Sequence, residues 1–132
     1  MIIHLDMQSE VPIYTQLEHQ IIEGIAGGKL QPGELLPSVR QLASDVGINL
    51  HTVNKVYTRL KQEGYILVHR QRGVVVNPEG MPSATSEFLE KQAAELRPII
   101  AEAILRGMSR QELTEVIERI YAEVALPKKE ES

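Results

Sequence analysis

Apolar residues recur at helical spacing in three consecutive segments of the first half of the chain. In the first, they stand four apart between Pro12, which suits a first helical turn, and a double glycine beginning at Gly27, so an amphipathic helix is predicted. The segments PSVRQLASDVG and NLHTVNKVYTRLKQEGY each carry an apolar face and end at a glycine-containing stop. Ser38 and Asn49 are the predicted N-caps, and Gln41 stands in capping-box register with Ser38. Two short helices joined by so tight a turn predict a helix-turn-helix.

Two β-prone runs follow, and then a second helical region. The runs ILV and VVV flank the polar loop HRQRG, which predicts a β-hairpin. The stretch NPEGMPSATS is typical of a linker. Beyond it, residues 87–106 form an amphipathic helix that Pro98 is expected to kink or split near Arg97. Ser109 and Glu112 form a capping box that opens a last helix, and the charged ending PKKEES is expected to fray.

This pattern predicts a mainly α (α+β) fold. Residues 1–77 are predicted to be a winged helix-turn-helix domain, and residues 78–132 a linker with a C-terminal α-helical dimerisation region. The apolar faces of the last helices are too wide for a monomer surface, which favours pairing of two chains over packing within one chain. The residues expected to pair the chains are Leu89, Leu96, Ile100, Ile104, Leu113, Ile117 and Ile120.

Composition and charge narrow the possible functions. The 132 residues include no cysteine, which excludes disulfides, thiolate metal sites and a cysteine nucleophile. With no long apolar run and no signal-like start, a soluble cytoplasmic protein without membrane association is expected. The net charge is −4, but residues 38–77 carry six basic and two acidic side chains, and both flanking regions are acidic. A basic middle of this kind is typical of a module that contacts DNA.

The predicted geometry assigns DNA contacts to specific side chains. A recognition helix presents its first residues to base edges in the major groove, and here these are Asn49, His51 and Thr52. Lys55, one turn on, is placed to reach phosphate, and Arg40 to reach the backbone or a base. The hairpin tip adds three polar residues for the minor groove or phosphates, namely Arg70, Gln71 and Arg72. Helix capping alone would also account for an asparagine at position 49. The arginines could likewise be ordinary solvated surface charges.

The stretch PIYTQL…GKLQPGELLPSVRQLASDVGINLHTVNKVYTRLKQEGY…RGVVV resembles the N-terminal DNA-binding domain of the GntR superfamily of bacterial transcription regulators. The short C-terminal region is similar to that of its YtrA-like subfamily. The resemblance implies a homodimeric repressor that binds operator DNA, with Ser38 and Arg40 contacting phosphate and base, and Gly73 in the wing. Gln71 stands where many relatives have a second wing glycine.

Alternatives remain at this point. A winged-helix protein–protein interaction module without a DNA-reading role is favoured only by the net charge of −4. A small enzyme would need a phosphate loop, an HExxH or a G-x-S-x-G motif, none of which occurs in the sequence. No catalytic residue, metal site or cofactor is therefore predicted. A small-molecule effector bound between the last helices is left open as a further partner.

Overall fold

The computed structural model describes residues 1–125, so the charged ending lies outside the described residues. The described elements are α1 (Ile13–Ala26), α2 (Val39–Val46), α3 (Leu50–Glu63), β1 (Ile66–His69), β2 (Gly73–Val76), α4 (Ser86–Leu105) and α5 (Arg110–Val124). The chain divides into two compact units, Met1–Pro82 and a second that begins at Ser83. The predicted order of three helices, a hairpin and further helices is confirmed, and the fold is a mainly α winged helix-turn-helix followed by a helical region.

The turn between α2 and α3 is fixed by short-range hydrogen bonds. Ser38 Oγ accepts from the backbone N–H of Gln41, and Asn49 Oδ1 accepts from that of His51, so both predicted N-caps are confirmed. The full capping box expected at Gln41 is wrong, because its side chain donates instead to Asp45 Oδ1 at 2.6 Å. Gly47 ends α2 at φ 71°, a conformation in which a Cβ is strained.

The core of the first unit is built from the predicted apolar faces. α3 contributes a fully buried stripe, and α1 and α2 contribute one side each. The buried members from these helices are Leu17, Ile21, Leu42, Ala43, Val53, Val56, Tyr57 and Leu60. Ile66 and Val76 close the core from the hairpin. Because one side of α3 is buried along this stripe, the opposite side of the helix faces solvent.

The hairpin is held at its base and along one edge. β1 and β2 pair antiparallel, with Ile66 opposite Val76 and His69 opposite Gly73. Asn77 Nδ2 donates to the carbonyl of Gly64 at 2.9 Å and closes the base. Residues 33–36 lie along the other edge of β2, and Leu36 N–H donates to the carbonyl of Val74 at 2.8 Å. The hairpin is therefore held from two sides.

Residues 3–11, here called the N-terminal strap, precede α1 and belong to no helix or strand, and the sequence pattern did not predict how they are held. Gln16 and Gln20, one turn apart on α1, hold its backbone. The Gln20 side chain accepts from the N–H of His4 at 2.9 Å and donates to its carbonyl, and Gln16 does the same for Asp6 at 2.8 and 3.0 Å. Each glutamine amide thus pairs with a peptide group as a neighbouring strand would.

The second unit contains α4 and α5. α4 runs without interruption through Pro98, so of the two outcomes expected there, a kink or a split, the split is wrong. A proline removes one backbone hydrogen bond, here to the carbonyl of Ala94. Because Ala94 is exposed, water can satisfy that carbonyl.

The capping box between Ser109 and Glu112 at the start of α5 is confirmed, with both of its hydrogen bonds present. The Ser109 backbone N–H, which donates to the carboxylate, and then its side chain lower the pKa of Glu112. No helix among residues 1–125 is long and apolar enough to cross a membrane.

Candidate nucleic-acid interface

The first turns of α3 present polar side chains on a rigid support. Val53, Val56 and Tyr57 are fully buried on one side, while His51 and Lys55 are exposed on the other and Thr52 is half-buried. A helix held along one face cannot rotate without exposing that face, which costs on the order of 1.5–3 kcal/mol per large side chain. The polar start of α3 is therefore presented in one fixed orientation.

Asn49 is exposed, and its side chain already forms a hydrogen bond within the protein. Its Oδ1 accepts from the backbone N–H of His51 at 2.7 Å, the capping interaction that the sequence also predicted. An amide has a donor group as well as an acceptor, so Nδ2 of Asn49 is still able to donate to an outside acceptor. A bidentate contact from Asn49 to an adenine would require the cap to break.

The start of α2 carries Ser38 and Arg40, both exposed. Its position relative to α3 is fixed by Tyr57, whose hydroxyl donates to the carbonyl of Pro37 at 2.8 Å. Burial raises the pKa of Tyr57 well above its ordinary value, so this hydroxyl keeps its proton. The same side chain therefore contributes to the core and ties the beginning of α2 to the recognition helix.

Two basic side chains of α3 are restrained by α1. Lys55 Nζ lies 4.9 Å from the centre of the Tyr14 ring, within the range of a cation–π contact. One turn on, Arg59 Nε lies 3.2 Å from Glu18 Oε1, and the Glu18 side chain is only 8% exposed. Burial alone would lower the pKa of Arg59, but the negative charge of Glu18 and the Tyr14 hydroxyl together raise it. Neither contact was found from the sequence, because each joins two separate helices.

The wing tip, residues 70–72, presents Arg70 and Arg72 to solvent. The next residue, Gly73, has φ 103°, a value that only glycine adopts readily. Inside the tip, Nδ1 of His69 accepts from the backbone N–H groups of Gln71 at 3.3 Å and Arg72 at 3.2 Å. This contact of His69 was not predicted from the sequence.

The structure places all nine predicted DNA-contacting residues on the surface of the first unit, although Thr52 is half-buried. Their contacts with DNA stay predictions. In the second unit, the predicted pairing residues are exposed apart from Leu113, which is half-buried. Further large apolar side chains are exposed on the same two helices, namely Phe88, Ile99, Leu105 and Tyr121. Among residues 1–125 there is no cluster of His, Asp and Glu that could hold a metal ion.

A helix-turn-helix with an exposed polar recognition helix and a basic wing defines the class of DNA-binding winged-helix transcription regulators. Residues 13–76 match the family described as "Bacterial regulatory proteins, gntR family". The HTH-type transcriptional repressor YtrA of Bacillus subtilis (strain 168) is 34% identical over 127 residues, which cover 96% of this chain and 98% of that protein. The chain belongs to the GntR family, as the resemblance predicted, and it is similar to YtrA over nearly its whole length.

Solved structures agree with this assignment. YtrA from Sulfolobus acidocaldarius, a GntR-family transcription factor, is 42% identical, with a TM-score of 0.54 over 92% of this chain and 98% of that one. A transcriptional antiterminator from Listeria monocytogenes EGD-e is 24% identical and superposes with a TM-score of 0.84 over 94% of this chain and 92% of that one. The latter likeness supports the fold alone.

Proposed function

We propose that this chain is a cytoplasmic transcriptional repressor that binds a two-fold symmetric operator in double-stranded DNA as a homodimer. The observation that carries the proposal is the start of α3, which is polar and exposed on a helix whose other side is fully buried. A major groove accepts one such helix, with its first residues against the base edges. The repressor role is supported by the similarity to a protein named as a repressor.

Base recognition is assigned to three exposed or half-exposed side chains. His51 and Thr52 lie in the first turn of α3, and Arg40 lies in the first turn of α2. Arginine and histidine suit the guanine edge, whereas threonine accepts or donates and also offers a methyl group to thymine. The three residues together provide the direct readout of one half-site.

Phosphate contacts are assigned to groups that surround these three residues. The backbone N–H groups at the starts of α2 and α3 suit phosphate oxygens, as does the hydroxyl of Ser38. Lys55 supplies a charge, and its contact with Tyr14 limits the conformational freedom lost on binding. On the wing, Arg70 and Arg72 contact the neighbouring minor groove or its phosphates, and Gly73 lets the strand leave the tip.

The homodimer is assigned to α4 and α5. Their exposed apolar side chains, such as Leu89, Ile100 and Ile117, are too many for a surface that stays in water. A second copy is favoured as the partner because one small module buries little DNA surface, whereas two recognition helices read two half-sites. The half-site centres are then expected about 34–36 Å apart, or a multiple of that distance.

The test of DNA recognition begins with a duplex selected from a random pool by the wild-type protein. Arg40→Ala and His51→Ala are each expected to weaken binding to that duplex by about 1–3 kcal/mol. Arg119→Ala removes the same side chain as the first variant, but from exposed α5, and is expected to bind like the wild type. Unchanged binding by both test variants would contradict the assignment of these residues.

Salt dependence separates DNA reading from the alternative of a protein-interaction module. Affinity for the selected duplex should fall linearly with salt on logarithmic axes, with a slope near −0.9 for each phosphate neutralised. Lys55→Ala should reduce the magnitude of that slope by about 1. A failure to select any duplex, or a flat salt response, would instead favour the interaction module.

Sedimentation of the full chain tests the dimer. Ile100→Glu places a charge on the apolar surface of α4 and is expected to shift the protein towards the monomer. Ile2→Glu is the matched control, because Ile2 is also an exposed isoleucine but lies in the first unit. A wild-type protein that is monomeric at micromolar concentration would refute the dimer proposal.

A further inference from the structure

The wing tip has an internal hydrogen-bond acceptor that the assigned DNA contacts do not use. His69 is the last residue of β1, and its Nδ1 accepts from the N–H groups of Gln71 and Arg72, two and three residues on. Asparagine and aspartate usually make this local pattern. In this chain, Asp6 and Asn49 each accept from the N–H two residues on, at 2.9 and 2.7 Å. An imidazole therefore performs here the task of a short carboxylate or amide.

The loop has few other means of keeping its shape. Residues 70–72 are all exposed, and the one positive φ at this tip is that of Gly73, 103°, where β2 begins. Among the described residues, no other side chain forms a hydrogen bond with the backbone of this loop. With two of its three N–H groups directed at one ring nitrogen, the loop is curved around His69, while its two arginine side chains remain exposed.

We propose that His69 is a positioning residue of the wing: its imidazole holds the loop in the curvature that presents Arg70 and Arg72 to one stretch of DNA. The inference rests on the proposed DNA-binding function. An ordered loop loses less conformational freedom on binding, so the contribution of His69 is to affinity through the two arginines. Because Nδ1 accepts, the ring hydrogen lies on Nε2, which faces away from the two amide groups and makes no hydrogen bond among the described residues.

Two conservative variants separate positioning from direct contact. In His69→Asn, the side-chain oxygen stands near the place of Nδ1, so the loop bonds are kept, but the outward reach of Nε2 is lost. In His69→Gln, a polar group is placed near Nε2 and the acceptor near Nδ1 is lost. If His69 positions the loop, the glutamine variant binds the selected duplex about fivefold to tenfold more weakly than wild type, and the asparagine variant binds within about twofold.

The opposite ranking, with asparagine weaker than glutamine, would assign a direct DNA contact to His69 and overturn the proposal. Equal affinities for the two variants, whether unchanged or reduced, would also overturn it. The melting temperature is measured for both variants, since the change lies in an exposed loop and the midpoint is expected to stay near that of the wild type. Loss of affinity that follows loss of melting temperature in both variants would indicate only a structural role.

A double-mutant cycle with Arg72→Ala measures how far the effects of the two substitutions on DNA affinity depend on each other. A general structural role of His69 would leave these effects independent. If His69 acts through the wing arginines, Arg72→Ala weakens binding in the wild type and costs clearly less in the His69→Gln background. Additive losses would contradict the inference. Arg119→Ala in both backgrounds is the control, and its effect should be near zero in each.

Nuclear magnetic resonance of the free protein separates a failure of this inference from a failure of the proposed function. The inference requires a ¹⁵N-labelled imidazole in the Nε2–H tautomer and amide protons of Gln71 and Arg72 that lose protection in His69→Gln. If no duplex is selected but these signals are present, the proposed function fails while the loop contact stands. If a duplex is selected but the ring is in the Nδ1–H form, the inference alone fails.

Discussion

Tyr57→Phe isolates the hydrogen bond that ties the start of α2 to the recognition helix. The Tyr57 ring is fully buried and stays in place in the variant, so no cavity is formed. Only the hydroxyl is lost, with its 2.8 Å bond to the carbonyl of Pro37. A net hydrogen bond contributes about 0.5–1.5 kcal/mol, and a buried carbonyl left unsatisfied costs about 1–3 kcal/mol. Because Pro37 is half-buried and water reaches it in part, the free energy of unfolding is expected to fall by about 1–2 kcal/mol.

Urea denaturation measures this loss, and it is done at one fixed protomer concentration because the stability of the proposed dimer would depend on concentration. With an m-value of about 1–2 kcal/mol/M, the midpoint should fall by roughly 1 M. Tyr65→Phe is the matched control, because Tyr65 is half-buried and its hydroxyl has no hydrogen-bond partner among residues 1–125. An unchanged midpoint for Tyr57→Phe, or equal losses for both variants, would refute the role of this hydroxyl.

The pH dependence gives a second check on the same group. Burial raises the pKa of Tyr57 in the folded state, whereas the unfolded chain has the ordinary value of about 10. Above that pH, the unfolded state releases the proton and the folded state retains it, so the stability of the wild type falls as pH rises. The difference in unfolding free energy between wild type and Tyr57→Phe should therefore narrow above about pH 10. A constant difference across this range would contradict the expected titration.

Three further substitutions test the ion pair, the turn and the last helix. Arg59→Met should destabilise the fold by about 1 kcal/mol because it leaves the buried Glu18 carboxylate unpaired, whereas Arg119→Met, from an exposed pair, should change stability by less than about 0.5 kcal/mol. Gly47→Ala should cost about 1–2 kcal/mol, since φ is 71° and a Cβ there would meet no other atom, so the loss is purely conformational. Ser109→Ala should cost the second unit about 1 kcal/mol by removing the N-cap of α5, with a matching loss of helical circular dichroism.

Each of these expectations has its own contrary outcome. Equal effects of the two arginine variants on the urea midpoint would show that burial of Glu18 adds nothing. A neutral Gly47→Ala would mean that the turn between α2 and α3 adopts another conformation in solution. For Ser109→Ala, Ser109→Asp is the control, because aspartate also caps a helix and should restore the circular dichroism signal.

The sequence predicts those parts of the fold that depend on neighbouring residues. The caps at Ser38, Asn49 and Ser109 follow from interactions within three positions along the chain, and the apolar faces follow from helical spacing. Gln41 is an exception even at short range, since its side-chain amide donates to Asp45 one turn on instead of accepting from the backbone N–H of Ser38. Pro98 is an exception because a single lost hydrogen bond does not end a helix whose other positions favour it.

The residue types of the candidate site can be predicted from the sequence. The contacts that orient these side chains are much harder to predict. Polar residues at the start of a recognition helix stand out in the sequence, but the contacts that orient them come from other elements. Tyr14 beneath Lys55 and Glu18 beside Arg59 join α1 to α3 across 41 positions of sequence. His69 is close in sequence to the two N–H groups that it accepts from. A histidine in a loop can have many roles, so its residue type alone does not predict that it accepts hydrogen bonds from the loop backbone.

The N-terminal strap also has a consequence for how the gene tolerates change. Gln16 and Gln20 bind peptide groups of the strap rather than its side chains at positions 4 and 6. Position 4 should therefore tolerate most substitutions in a mutational scan except proline, which has no N–H to donate. Position 6 should favour aspartate or asparagine, because Asp6 Oδ1 also accepts from the backbone N–H of Gln8 at 2.9 Å. By the same reasoning, Gln16 and Gln20 should be among the least replaceable polar residues of α1, although neither carries a charge.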